Sequence, residues 1–167
     1  MGGSGSTAHR SSARTARRRA APGAVAAVEI DVPFHDVDSL GIVWHGHYYK
    51  YLEIARTALL RACKLDADDL RALGFGLVVI ESRCRHVAPL RYGDVARVSA
   101  WLRDVRHRLR VEYEIVRAVD GLQIARAETT LVTVTRAGEL MLETPEALRT
   151  RLEPMLVPAE AGEGEKR

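Results

Sequence analysis

Residues 35–56 read HDVDSLGIVWHGHYYKYLEIAR, three histidines and two aspartates around a Gly-containing turn, set directly against a well-patterned helix. Two chemistries fit these residue types. His45 and His47, spaced H-x-H, stand with His35, Asp36, Asp38 and Glu53, enough nitrogen and oxygen donors for a divalent ion. Alternatively, Asp38 lies on the turn just before a helix, and the first N–H groups of a helix have no intrahelical partner and carry partial positive charge. A carboxylate beside such amides supplies what acyl transfer to water needs: a nucleophile or general base, and donors for the oxyanion that develops.

Geometry weighs against the metal. H-x-H followed by Glu resembles the cupin pattern, in which two histidines two apart on a strand point the same way. Here His47 starts a helix, where positions i and i+2 diverge by roughly 200°. Glu53 falls outside the helix's apolar stripe, so solvent or Arg56 is its expected partner. Asp38 has a plain reading too, as a turn or capping aspartate, and spacing alone does not separate that from a catalytic role.

The elements that must position these residues follow from periodicity. VEIDVPFHDVD alternates apolar and polar residues through Val28, Ile30, Val32 and Phe34, which predicts a first strand ending near Asp36. Tyr48, Tyr51, Leu52, Ala55, Leu59 and Ala62 then form a helical stripe, with Lys50, Glu53 and Arg61 mostly off it, so a helix of about four turns begins around Gly46 to Tyr48. Residues 65–74 suit a short helical connection closed by the Gly-Phe-Gly breaker. Four more strands are expected at about 77–88, 94–105, 108–118 and 122–135, with turn chemistry in PLRYGD (89–94) and Asp120-Gly121. They read as an antiparallel meander. Thr144-Pro145-Glu146 predicts an N-cap with Pro at N1 and a short terminal helix through Leu152. One helix followed by four consecutive strands excludes a parallel doubly wound sheet and defines an α+β fold: one antiparallel sheet curved around one long helix.

The chain has 167 residues, 47% of them hydrophobic and 28% charged, which suits one globular domain. No apolar run reaches the roughly 20 residues of a membrane span. Residues 1–27 hold five arginines and no acid; without them the net charge of +3 falls to about −2. The basicity therefore belongs to this extension and not to the domain, so no nucleic-acid binding is expected of the folded body. The extension, expected to be disordered, is Arg/Ser/Ala-rich like a transit peptide or a weak polyanion-binding arm. The expected organisation is an extension over 1–27, a domain over 28–153 and a frayed tail over 154–167. Cys63 and Cys84 lack metal-type spacing and read as reduced packing thiols of a cytoplasmic protein.

DVDSLGIVWHGHYYKYLEIAR resembles the signature of the 4-hydroxybenzoyl-CoA thioesterase family of hotdog-fold proteins, especially its Tol-Pal-associated acyl-CoA thioesterase branch: Asp-x-Asp-x-x-Gly-x-Val-aromatic-His/Tyr, then a Tyr-bearing helix with Glu-x-Ala-Arg. The resemblance spans residues 28 to about 153 and implies hydrolysis of an acyl-CoA or acyl-carrier-protein thioester. It implies no metal or organic cofactor, coenzyme A or phosphopantetheine entering as part of the substrate. It makes Asp38 the nucleophile or general base and His45 the helix-mouth residue whose N–H polarises the carbonyl and whose ring helps orient water or Asp38, with Gly46 beside it as a substrate-binding position. Trp44 and Tyr48 would line the acyl site or simply pack, and Arg106 and Arg108, with His107 between them, would clamp the CoA phosphates. It also implies a homodimer or homotetramer with the site at the subunit interface. Ser39-Leu40 and His-Gly-His depart from the commoner forms of the motif, and His-Gly-His resembles relatives of aryl polyene or polyketide-type clusters, whose acyl group rides on an acyl carrier protein. A hotdog dehydratase is disfavoured, since a Pro-Gly after the His-containing loop is missing; a non-catalytic acyl-binding or scaffold hotdog is the alternative outside enzymes.

Overall fold

The structure, a computed structural model, describes residues 26–158. Its elements are β1 (Ala26–Asp31), a 3-10 turn (Phe34–Asp36), α1 (His47–Ala62), α2 (Ala67–Leu73), β2 (Phe75–His86), β3 (Val95–Asp104), β4 (Leu109–Arg117), β5 (Gln123–Thr135) and α3 (Glu146–Leu152). All strand pairings are antiparallel, in one five-stranded sheet of order β1-β3-β4-β5-β2. The expected hotdog arrangement, a sheet with one long helix on its inner face, is the fold found.

The apolar stripe of α1 explains why that helix forms and where it lies. Tyr48, Tyr51, Leu52, Ala55 and Leu59 are all buried, and α1 packs on β1 and β3. They meet the inward residues of the sheet, among them Val98, Leu102, Val111, Ile115, Ile124 and Leu131. Each such large side chain contributes about 1.5–3 kcal/mol on burial. The stripe ends one turn early: Ala62 is exposed, and Cys63 takes the buried place. Asp66 caps α2 in a reciprocal pair with Asp69, and Gly74 closes that helix with φ 81°.

Several expectations change. β1 ends at Asp31 and not near Asp36, because Pro33 cannot donate to a ladder and leads into the 3-10 turn. The strands are not a simple meander: β3, β4 and β5 follow one another, but β2 pairs with the far side of β5. The α1–α2 connection carries the chain across the sheet and delivers β2 to the opposite edge from β1. Pro145 is the N-cap of α3; the Thr144 hydroxyl is buried, has no hydrogen-bond partner among the described residues and does not cap the helix. Part of the tail expected to fray from residue 154 is held against β3: Leu156 bridges Leu102, Val157 N–H donates to Leu102 O at 3.0 Å and Arg103 Nη1 to Pro158 O at 2.8 Å. The extension over 1–27 lies outside the described residues except for Ala26 and Ala27, which open β1. Among the described residues no helix is long and apolar enough to cross a membrane.

Candidate active site

The segment between the 3-10 turn and α1 folds as a small hairpin. Val37 bridges Val43, Asp38 N–H donates to Ile42 O at 2.8 Å, and Gly41 N–H returns to Asp38 O at 2.9 Å. Gly41 takes φ 73°, the left-handed conformation a glycine adopts without cost. Asp38 is the first residue of this turn, and its Oδ1 accepts the Leu40 N–H at 2.8 Å. Among the described residues its hydrogen bonds are confined to Oδ1, which leaves Oδ2 available. The plain turn role and an available carboxylate are thus both present in one side chain.

The hairpin delivers the chain to the mouth of α1. Gly46 is the N-cap and has no side chain to satisfy the first amides; His47 N–H turns back to Trp44 O at 2.9 Å. Among the described residues the N–H groups of His45 and Gly46 meet no acceptor. Open amides with the helix dipole behind them are suited to a carbonyl oxygen gaining charge. Trp44 and His45 are exposed, with ring centroids 4.9 Å apart, and the Trp44 and His47 rings stand edge to face at 5.4 Å.

The most buried polar group at the mouth is Asp36, which is 0% exposed. Lys50 Nζ donates to both its oxygens at 2.5 and 2.6 Å, and Tyr51 OH to Oδ2 at 2.7 Å. Burial alone would raise this carboxyl; the hydrogen bonds from Lys50 and Tyr51, with the charges of Lys50 and His47, outweigh burial and hold it below the usual carboxylate range. With both oxygens committed to Lys50, Asp36 is a poor metal ligand. Among the described residues no group of three or more His, Cys, Asp or Glu side chains converges as a metal site.

Tyr48 is a core residue at 3% exposure; its hydroxyl accepts the Leu90 N–H at 3.4 Å. Its ring meets His86, at the end of β2, edge to face at 4.5 Å. Burial, with the neighbouring His45, lowers the His86 pKa and favours its neutral form. Phe34 and Tyr92, both exposed, pack edge to face at 5.6 Å beside the hairpin, where Ile42 bridges Arg91. Sequence reasoning missed the Asp36–Lys50–Tyr51 set. The one signal available was the recurrence of Asp36, Lys50 and Tyr51 at the same helix mouth as Asp38.

Arg106 and Arg108 are not brought to this place within one chain. β3 starts at Val95, next to residues that bond the hairpin, and runs ten residues to Asp104. At about 3.3 Å per residue, that puts the β3–β4 turn about 30 Å along the sheet. Both arginines are exposed there, with Arg106 O accepting the Thr144 N–H at 2.8 Å and His107 Nδ1 3.9 Å from Glu143. Arg56 braces α1 through its ion pair with Glu53, as expected.

A single antiparallel sheet around one long helix, with a carboxylate turn at the helix mouth, defines a hotdog protein. The chain belongs to the Thioesterase-like superfamily, whose profile matches residues 32–152. It is similar to sll0410 of Synechocystis sp., named as an esterase, at 31% identity over 127 residues, 75% of this chain and 76% of that protein. It is also similar to YneP of Bacillus subtilis, named as an acyl-CoA thioesterase, at 33% identity over 76 residues, 46% of this chain and 55% of that one. Among solved structures, Slr0204, a 1,4-dihydroxy-2-naphthoyl-CoA thioesterase from Synechocystis, shares the fold with TM-score 0.68 and 23% identity, over 77% of this chain and 95% of that one.

Proposed function

We propose that the chain hydrolyses acyl-CoA thioesters to the free acid and coenzyme A at the mouth of α1. The observation that carries this reading is the pairing of an available Asp38 oxygen with the open amides of His45 and Gly46, at the two ends of one short hairpin. Asp38 takes a proton from the water that attacks the thioester carbonyl carbon, or attacks that carbon itself, in which case water then cleaves the mixed anhydride to release the acid, restore the carboxylate and supply the proton. The carbonyl oxygen, gaining negative charge, is received by the two amides, and the C–S bond breaks to release the thiol, which takes up the proton. No metal or organic cofactor enters this scheme. Trp44, exposed beside Gly46, is the contact for the acyl group or the pantetheine arm. Kinship with a protein named as an acyl-CoA thioesterase supports the CoA thioester as substrate; a carrier-protein thioester is the alternative with the same chemistry.

The reading includes a homodimer. β2 lies at the sheet edge and exposes Val78, Val79 and Ile80, a long apolar edge that a second copy would cover. Antiparallel pairing of β2 with β2 about a two-fold axis sets the β3–β4 end of the second copy beside this chain's helix mouth. Arg106 and Arg108 of that copy then serve the CoA phosphates, a role they do not reach within one chain.

The test is thiol release from a panel of short, long and aromatic acyl-CoAs by wild type and Asp38→Asn, with chelator present throughout. Asn keeps an oxygen for the Leu40 N–H, so the turn survives while the charge is lost. Turnover by wild type, unaffected by chelator and reduced at least about 100-fold in the variant, is the expected result. Equal turnover by both proteins removes Asp38 from the chemistry. Turnover that dies with chelator revives a metal at His45 and His47. An acyl-CoA bound by both proteins and hydrolysed by neither makes the chain an acyl-binding hotdog instead.

A further inference from the structure

Asp36 joins the two structures that carry the reacting groups. Its main-chain carbonyl accepts the Trp44 N–H at 3.0 Å, closing the base of the hairpin that bears Asp38. Its fully buried side chain is bonded to Lys50 and Tyr51 on the first turns of α1, and His35 Nε2 and His47 Nδ1 stand 3.6 and 3.7 Å from Oδ1. Stability gives little reason for such a group. A buried carboxylate loses its hydration, and an ion pair seldom repays that loss better than apolar side chains of the same volume would. What the arrangement does supply is geometry, because a short, charge-assisted, three-point contact fixes direction as well as distance. The groups it ties together are the Asp38 turn on one side and the open amides at the start of α1 on the other.

We propose that Asp36 is a positioning residue for the hydrolysis described above, on which the proposal rests: its clamp with Lys50 and Tyr51 sets the distance between the Asp38 carboxylate and the His45 and Gly46 amides. It touches no substrate. A displacement of about 1 Å between reacting groups costs on the order of 100-fold in rate, so loosening the clamp lowers turnover while leaving substrate affinity in place. Asp36→Asn removes the charge that Lys50 answers, and Tyr51→Phe removes one hydrogen bond. Lys50→Arg keeps the cation and is the conservative rescue.

The experiment measures kcat and KM for the best acyl-CoA of the panel, well below each variant's melting temperature, beside wild type and Asp38→Asn. The expected result is a fall in kcat of at least about 30-fold for Asp36→Asn, a smaller fall of about 3- to 10-fold for Tyr51→Phe, KM within about threefold of wild type, and most activity kept by Lys50→Arg. The same proteins are then compared by amide hydrogen exchange, which needs no substrate: faster exchange confined to residues 37–47 is expected in Asp36→Asn. Unchanged kcat in folded Asp36→Asn, or a loss confined to KM, overturns the clamp and leaves the hydrolysis reading standing. A wild type that cleaves no thioester overturns the hydrolysis reading, and with it a positioning role in catalysis; exchange in 37–47 then decides whether the clamp exists as a structural tie. Should Asp36→Asn fail to fold, Tyr51→Phe carries both measurements with the same criteria.

Discussion

The indole of Trp44 lies across the Cα of Gly46: a Cβ built on Gly46 would stand 2.1 Å from the ring. Gly46 φ is an ordinary −66°, so glycine is required here for space and not for backbone freedom. Gly46→Ala therefore displaces the indole from the helix mouth. Trp44 is 47% exposed, so it can swing into solvent at a stability cost under about 1 kcal/mol. The expected outcome is a melting temperature within a few degrees of wild type, a red shift in tryptophan emission and altered acyl-chain preference. Trp44→Ala in the same background should make the Gly46→Ala change silent; if the single variant's emission and preference match wild type, Trp44 does not line the acyl site.

Asp36 predicts an acid limit to stability. Its carboxyl is held below the usual range in the folded chain, against burial, by Lys50, Tyr51 and His47. A group lowered on folding contributes stability that is complete above its unfolded pKa, near 4 for an aspartate, and is lost as pH falls through the folded value. Denaturant titrations should thus show the unfolding free energy declining below about pH 4, with a shallower decline in Asp36→Asn. Parallel declines in the two proteins would mean that other acids carry the effect. Asp66 and Asp120 are lowered as well, by Arg61 and Arg117, but both are solvated surface partners of small consequence.

How much of this was legible in sequence differs from element to element, for physical reasons. The α1 stripe was legible because five apolar residues at helical spacing have one way to be buried together, and the Asp120-Gly121 turn because Gly121, at φ 72°, needs the residue it has. The neighbour of β2 was not, since its outer residues Val78, Val79 and Ile80 are as apolar as a central strand's, and only the path through α1 and α2 selects the edge. Asp36 and Asp38 illustrate a different limit. They are two residues apart and chemically identical, and only the positions of Lys50 and Tyr51 decide that Asp36 is sequestered while Asp38 keeps an oxygen free. Arg106 and Arg108 were legible as a basic turn, but not the length of β3 that separates them from the helix mouth.

The two cysteines bear on any thiol-release assay. Burial pushes the Cys63 thiol up to about 11 and raises Cys84 too. Since the thiolate is the reacting species, both should be slow at neutral pH. Native protein should release roughly a tenth or less of its thiol titre over the minutes of an assay, and the full titre, two per chain, in concentrated guanidinium. One fast thiol in the native protein would identify Cys84, the half-buried one, as accessible through opening of the β2 edge.

Tyr113 offers a test of the core that is independent of function. It is 1% exposed on β4, and among the described residues its hydroxyl meets no partner at hydrogen-bond geometry, although Thr129 and Arg56 are its polar neighbours. Burial pushes the phenol up, against the opposing influence of Thr129 and Arg56. A buried hydroxyl without a partner has lost its water and gained nothing in return, a cost of about 1–3 kcal/mol. Tyr113→Phe removes that oxygen and keeps the ring that fills the space against α1. The variant should be as stable as wild type or up to about 1 kcal/mol more so, seen as an equal or slightly raised melting temperature. A loss of more than about 1.5 kcal/mol would show that the hydroxyl bonds Thr129 or Arg56 in solution, which would tie β4 to the Arg56–Glu53 pair on α1.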